Sequence, residues 1–248
     1  MAAHAALAAL ILGTIFPLAG AERRRALIGW WSGKLLRILA VRARVEGERP
    51  RAAAIVAANH IAWLDIFVVL SAVPLRFIGK SEIRSWPVAG WIAARAGTIF
   101  LRRGLRRDIA RINERVHEAL AQAQCIGLFP EGTTGDGETL LKFHSSLFEP
   151  AVANGARVYP AAIRYDAPDG TPCRAVLYGE LSFLESIAAT IREPGFTATL
   201  RFGEPIETTG AHRRDVARRA HAAVATLLAA APPGTRPGTG ADPRGAAR

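Results

Sequence analysis

From Val41 onward the chain alternates short apolar runs with segments of helical period, and this alternation confines it to α/β architecture. Val41 to Val45 reads Val-Arg-Ala-Arg-Val, the pattern of an outer strand, whereas Ala53 to Ala58 is a continuous run of small apolar residues, as in a strand covered on both faces. Further strands are predicted at 76–78, 98–101, 125–129, 157–163, 175–178 and 197–202, and helices at 65–72, 88–95, 107–123, 145–153, 183–191 and 213–230. The expected fold is a single α/β domain over 41–230, with a mixed, largely parallel central sheet flanked by helices. A chain of 248 residues suffices for one such domain with a sizeable core. Residues 231–248 carry repeated Pro and Gly with almost no apolar anchor and are expected to be a disordered tail.

Residues 1–40 read differently. Ala2 to Ala21 is apolar apart from His4 and Thr14 but is interrupted by Gly13 and Pro17, and Glu22-Arg23-Arg24-Arg25 follows it. A secretory signal carries its positive charge before the apolar run, so export is not expected. Ala26 to Ala40 then sets Leu27, Trp30, Trp31, Leu35, Ile38 and Leu39 in a broad apolar stripe, with Lys34 and Arg37 beside it. Tryptophans next to an arginine cluster suit a lipid interface, so this helical pair is expected to associate with membrane; the alternative is two helices of a soluble core.

Half of the residues are hydrophobic and mean hydropathy is +0.15, which excludes wholesale disorder. With 32 basic against 21 acidic residues the formal charge is +11, which favours anionic partners. Only Lys34, Lys80 and Lys142 are lysines, so a bias of the source toward Arg and Ala accounts for part of that balance. The arginine-rich stretch 102–115 raises nucleic-acid binding as an alternative, but no nucleic-acid module accompanies it and the tryptophans cluster with apolar residues. Cys125 and Cys173 lack any metal-ligand spacing, so neither a zinc site nor a disulfide framework is expected.

Chemistry concentrates where strands end. Asn59-His60 directly follows the covered strand, and Asp65 opens the next helix. Five residues subtend about 140° on a helix, so His60 and Asp65 meet only if His60 stays in the loop. A carboxylate on Nδ1 would then hold the imidazole in the tautomer whose Nε2 accepts a proton, making it a general base. The competing reading is a helix cap beside an incidental histidine. Phe129-Pro130-Glu131-Gly132-Thr133-Thr134-Gly135-Asp136-Gly137 follows another strand; its glycines permit close backbone approach and Thr133 and Thr134 can donate to anionic oxygens, or the segment is simply a turn-rich loop. Gly97 to Arg103 is an apolar strand ending in Arg102 and Arg103, which could clamp an anion or merely face solvent.

Over roughly 53–163, these segments together resemble the glycerolipid acyltransferase family, to which the 1-acylglycerol-3-phosphate acyltransferases belong. Asn59-His60 with Asp65 matches its first motif, Gly97 to Arg103 its second, Phe129 to Thr133 its third and Val158-Tyr159-Pro160 its fourth, with Lys142 where the family commonly has a lysine. The resemblance implies catalysis by His60 and Asp65. It also implies acceptor binding by Asn59, Arg102, Arg103, Glu131, Gly132, Thr133 and Lys142, and shaping of the acyl region by Pro160. It implies an O-acyltransferase moving a fatty acyl group from acyl-CoA or acyl carrier protein to a lysolipid hydroxyl, with no bound metal or cofactor. The implied acceptor is 1-acyl-sn-glycerol-3-phosphate, giving phosphatidic acid, and the implied place is the cytoplasmic face of the membrane. One departure bears on the acceptor. Many phosphate-acceptor members have arginine after the Glu-Gly-Thr run, where this chain has Thr134, then Gly135 and Asp136. Lyso-ornithine lipid, with a zwitterionic headgroup, is therefore the alternative acceptor, and a non-catalytic membrane scaffold the alternative class.

Overall fold

The computed structural model describes residue 14 and residues 18–86, 89–101, 106–177, 183–193 and 195–230. Arg102, Arg103, the predicted tail 231–248 and most of the apolar segment 2–21 lie outside the described residues.

Strands β1 (Val41–Glu46), β2 (Ile55–Ala58), β3 (Leu75–Lys80), β4 (Ile99–Leu101), β5 (Cys125–Leu128), β6 (Val158–Asp166) and β7 (Phe196–Phe202) form one sheet in the order β1-β7-β6-β2-β5-β3-β4. Every neighbouring pair is parallel except β6 with β7, so the sheet is mixed and largely parallel, as expected from the sequence. The helices are α1 (Ala21–Ile38), α2 (Asp65–Ala72), α3 (Ala89–Arg95), α4 (Arg106–Ala121), α5 (Glu149–Ala153), α6 (Phe183–Arg192) and α7 (Arg213–Ala229).

Because side chains alternate across a strand, β2 supplies two cores at once. Val56 and Ala58 face a core that includes Leu36, Val68, Val69, Ile163 and Leu200. Ile55 and Ala57 face the other, with Val116, Ile126, Phe148, Val158 and Val224. All four β2 residues are buried, which explains a strand with no polar position. Each fully buried Leu, Ile or Val of this kind stabilises the fold by about 1.5–3 kcal/mol before entropy is counted.

Two expectations change. Over its described residues 175–177 the predicted strand 175–178 is instead part of a 3-10 turn, Arg174–Val176, and the coil after it, and residue 178 lies outside the described residues. This segment is tied to the end of β6 by Cys173 N–H donating to the Tyr165 carbonyl (3.0 Å) and by an isolated bridge between Asp166 and Pro172, so no ladder propagates. The predicted helix 145–153 is a 3-10 turn, Ser145–Phe148, running into the short α5.

The apolar stripe of α1 divides. Leu35, Leu36 and Leu39 are buried in the core, and Trp31 meets the Phe67 ring of α2 edge-on at 5.6 Å. Trp30 and Ile38 keep 45% and 44% of their surface exposed, and Lys34 Nζ lies 5.1 Å from the Trp30 ring centre. The second N-terminal helix is thus built into the domain on one face and open on another. Among the described residues no helix is long and apolar enough to cross a membrane.

Candidate active site

β2 and β5 are adjacent and parallel, so their carboxyl ends bring the His60 loop and the Glu131 loop together. His60 remains in the loop and Asp65 is the first residue of α2, the arrangement the five-residue spacing demanded. Asp65 is completely buried, and its carboxylate accepts four hydrogen bonds. Oδ2 takes the backbone N–H of Ile61 (2.7 Å) and of Ala62 (2.9 Å) and faces His60 Nδ1 at 2.8 Å. Oδ1 takes the Tyr165 hydroxyl at 2.6 Å. A charge removed from water needs this degree of satisfaction. With Nδ1 engaged, the reactive nitrogen is Nε2, and the His60 side chain retains 19% of its surface.

The ring is set from the other side by aromatic stacking. Phe129 lies parallel to His60 at 4.1 Å between ring centres, and Phe77 stacks on Phe129 at 5.1 Å. Gly127 makes the stack possible: a Cβ there would lie 2.7 Å from a Phe77 ring carbon and 2.6 Å from Leu75.

Glu131 is 3% exposed, and both its oxygens are spoken for. Oε1 accepts the backbone N–H of His60 at 2.7 Å and Oε2 that of Leu141 at 2.9 Å. Gly135 N–H donates to the His60 carbonyl at 2.7 Å, so the glycine-rich loop grips the His60 residue by both its N–H and its C=O. Burial pushes the Glu131 carboxyl above the usual carboxylate range, opposed by those two N–H donors. Gly132, whose N–H closes a turn on the Phe129 carbonyl at 3.0 Å, sits at φ +70°, a left-handed conformation that glycine adopts without strain. Glu131→Gln replaces one acceptor with a donor and leaves a backbone N–H facing an amide N–H. We expect a loss of about 1–3 kcal/mol of stability and a fall in turnover of at least tenfold, read by thermal unfolding and initial rates. Wild-type values for both would show that this tether does not hold the His60 loop in place.

Asn59 is engaged through both polar atoms of its amide. Its Nδ2 donates to the Ile163 carbonyl (3.0 Å) and its Oδ1 accepts the Ile163 N–H (2.7 Å), fastening the end of β2 to β6. Pro160 is buried on β6 opposite Ala57, and its carbonyl accepts Gly203 N–H at 2.9 Å. Thr133 and Lys142 are exposed and Gly132 half-buried, all on the loop that returns to the site through Leu141. Among the described residues no cluster of His, Cys, Asp or Glu could hold a metal ion. Tyr165 carries no motif in the sequence that marks it. It lies 100 positions from its partner, and only the neighbouring of β2 and β6 brings them together.

A carboxylate-backed imidazole at the rim of a parallel sheet is machinery for taking a proton from a hydroxyl. Residues 42–164 match the family model described as Acyltransferase. The chain is 39% identical over 216 residues to the lyso-ornithine lipid O-acyltransferase of Pseudomonas aeruginosa, covering 86% of this chain and 83% of that protein. It is 44% identical over 146 residues to the 1-acyl-sn-glycerol-3-phosphate acyltransferase of Neisseria gonorrhoeae, covering 58% and 57%. The crystal structure of the 1-acyl-sn-glycerophosphate acyltransferase PlsC from Thermotoga maritima shares the fold, with TM-score 0.65 at 22% identity over 92% of this chain and 94% of that one. The chain belongs to the acyltransferase family and is an acyltransferase.

Proposed function

We propose that the protein is a lysolipid O-acyltransferase in which His60 is the general base and Asp65 orients and charge-stabilises it. The observation that carries this reading is the 2.8 Å contact between His60 Nδ1 and a buried, fully hydrogen-bonded Asp65 carboxylate, beside the Glu131 loop. Nε2 takes the proton of the lysolipid hydroxyl as its oxygen bonds to the carbonyl carbon of an acyl thioester. The tetrahedral intermediate then expels the thiolate, and the proton passes from His60 to sulfur, leaving an ester and a free thiol. Neither Cys125 nor Cys173 enters this scheme: both thiols are pushed up by burial, the opposite of an activated nucleophile. The donor is acyl-CoA or acyl carrier protein. Arg102, Arg103, Thr133 and Lys142 supply cations and hydroxyls to the acceptor headgroup, Gly132 lets the backbone approach it, and Glu131 and Asn59 act through the loop and strand end they hold. Pro160 shapes the acyl region.

For the acceptor, two observations favour lyso-ornithine lipid over 1-acyl-sn-glycerol-3-phosphate. A relative matched over 86% of this chain and 83% of its own length is a lyso-ornithine lipid O-acyltransferase. Thr134 stands where many phosphate-acceptor members have a guanidinium, and two residues on, the loop carries Asp136, whose carboxylate is held below the usual range by the Thr139 and Glu138 N–H groups, each at 2.9 Å. A negative charge there disfavours a phosphomonoester dianion and suits a headgroup that includes an ammonium. Purified protein assayed with acyl-CoA and acyl carrier protein donors against both lysolipids tests this. Turnover of lyso-ornithine lipid is expected to lead; preference for 1-acyl-sn-glycerol-3-phosphate restores the phosphatidic acid assignment, and failure with both overturns the reading.

Residues 1–40 serve, in this proposal, as the contact with the cytoplasmic face of the membrane. The exposed Trp30 and Ile38 and the basic Arg23, Arg24 and Arg25 fit a lipid surface. Deleting α1 would open the core, so the test is on its outer face. Trp30→Ser with Ile38→Ser should weaken binding to anionic phospholipid vesicles by roughly tenfold, measured by co-sedimentation, with the unfolding temperature unchanged. Undiminished sedimentation would contradict this role.

A further inference from the structure

We infer that Tyr165 is a positioning residue of the catalytic pair, its hydroxyl fixing the Asp65 carboxylate and setting how tightly His60 holds its proton. This rests on the dyad proposed above and extends it to a strand position that no catalytic motif of the sequence covers.

Tyr165 is 3% exposed on β6, its ring edge-on to Phe196 at 5.8 Å, and its hydroxyl donates to Asp65 Oδ1 at 2.6 Å. Phenylalanine would fill the same space, and a buried hydroxyl without a partner is costly, so packing alone gives no reason for the oxygen. The bond is short and charge-assisted. It occupies the oxygen that His60 does not face, while Ile61 and Ala62 N–H lock the other. Rotation of the carboxylate is thereby blocked from both ends. Burial, and then the charge of Asp65, drives the phenol well above its ordinary range, so Tyr165 stays a neutral donor across the working pH range.

The surrounding charges do not substitute for it. The titratable groups packed around the pair are His60 and Asp65 themselves, Glu131 from the β5 loop, and Cys173, whose thiol is held neutral by burial. On β6, Arg164 and Asp166 pair with each other at 2.7 Å. From β7 the contact is the apolar Phe196 ring.

The consequence is a signed pH effect. Removing the Tyr165 hydroxyl leaves the Asp65 charge less dispersed, which favours the imidazolium and keeps His60 protonated to higher pH. In Tyr165→Phe the acid limb of kcat/KM should move up by roughly half to one pH unit, with kcat down about tenfold and KM for the lysolipid unchanged. Replacing the residue by 3-fluorotyrosine, a more acidic phenol and stronger donor, should move the limb the opposite way. A folded Tyr165→Phe enzyme whose limb and kcat match wild type would reduce Tyr165 to packing. If Tyr165→Phe does not fold, an unmoved limb in the fluorotyrosine enzyme overturns the positioning role in the same way. His60→Ala is run alongside: loss of its turnover with a normal Tyr165→Phe enzyme overturns only the tyrosine's role, whereas normal turnover by His60→Ala overturns the dyad.

Discussion

Asp65→Asn should lower kcat by roughly 10³-fold or more while leaving a folded protein. The hydrogen-bond geometry dictates both halves of that result. Ile61 and Ala62 N–H both point at Oδ2, so the asparagine must turn its carbonyl oxygen toward them and its amide toward Tyr165. The tyrosine oxygen can accept from that amide at the cost of leaving its own O–H without an acceptor, so stability falls by about 1–3 kcal/mol and the fold is kept. What is lost is charge. When His60 takes a proton its imidazolium faces a neutral amide at a position removed from water, where the missing interaction is strongly felt. Initial rates and thermal unfolding measured on the same preparation check the prediction, and an Asp65→Asn enzyme within tenfold of wild type would show that the carboxylate only fixes the loop before α2 through Ile61 and Ala62.

His60→Ala should have an effect of similar size, about 10²- to 10⁴-fold from loss of the base itself, with further loss from the missing proton donor to the departing thiolate. Its loop should survive. The Glu131 and Gly135 contacts are to the His60 backbone and persist in alanine. Two costs remain: Phe129 loses its stacking partner, and Asp65 keeps three of its four donors. A charged hydrogen bond of this type is worth about 1.5–3 kcal/mol, so the unfolding temperature should fall by several degrees without loss of the fold. Residual turnover would come from bringing thioester and alcohol together.

Much of this is legible in the sequence because local chemistry and strand order agree. The apolar run 53–58 fits a strand covered on both faces, and a polar pair after it belongs at the sheet's rim; hence the spacing of His60 and Asp65 already places one in the loop and the other at the helix start. Glu131 stands out as a site residue, but its engagement with the His60 backbone is invisible, since nothing in the sequence says which peptide a buried carboxylate will grip. Asn59 fastens β2 to β6 and Tyr165 reaches Asp65, and both contacts are hidden for one reason: they depend on β6 lying beside β2, a pairing across about a hundred residues. The predicted strand 175–178 fails because so short an apolar run has no period of its own, and one bridge at Pro172 ends the pairing it would need. The stripe on α1 is plain in the sequence, yet its division into a buried and an open face follows from the packing of α1 on α2.

The most direct measurement is the pH profile of kcat/KM for lysolipid acylation by the wild-type and His60→Ala enzymes. Wild-type activity is expected to fall on the acid side with the gain of a single proton, and the small residual rate of His60→Ala to lack this limb. A folded His60→Ala enzyme that reproduces the wild-type rate and its acid limb would contradict the imidazole's role as the base.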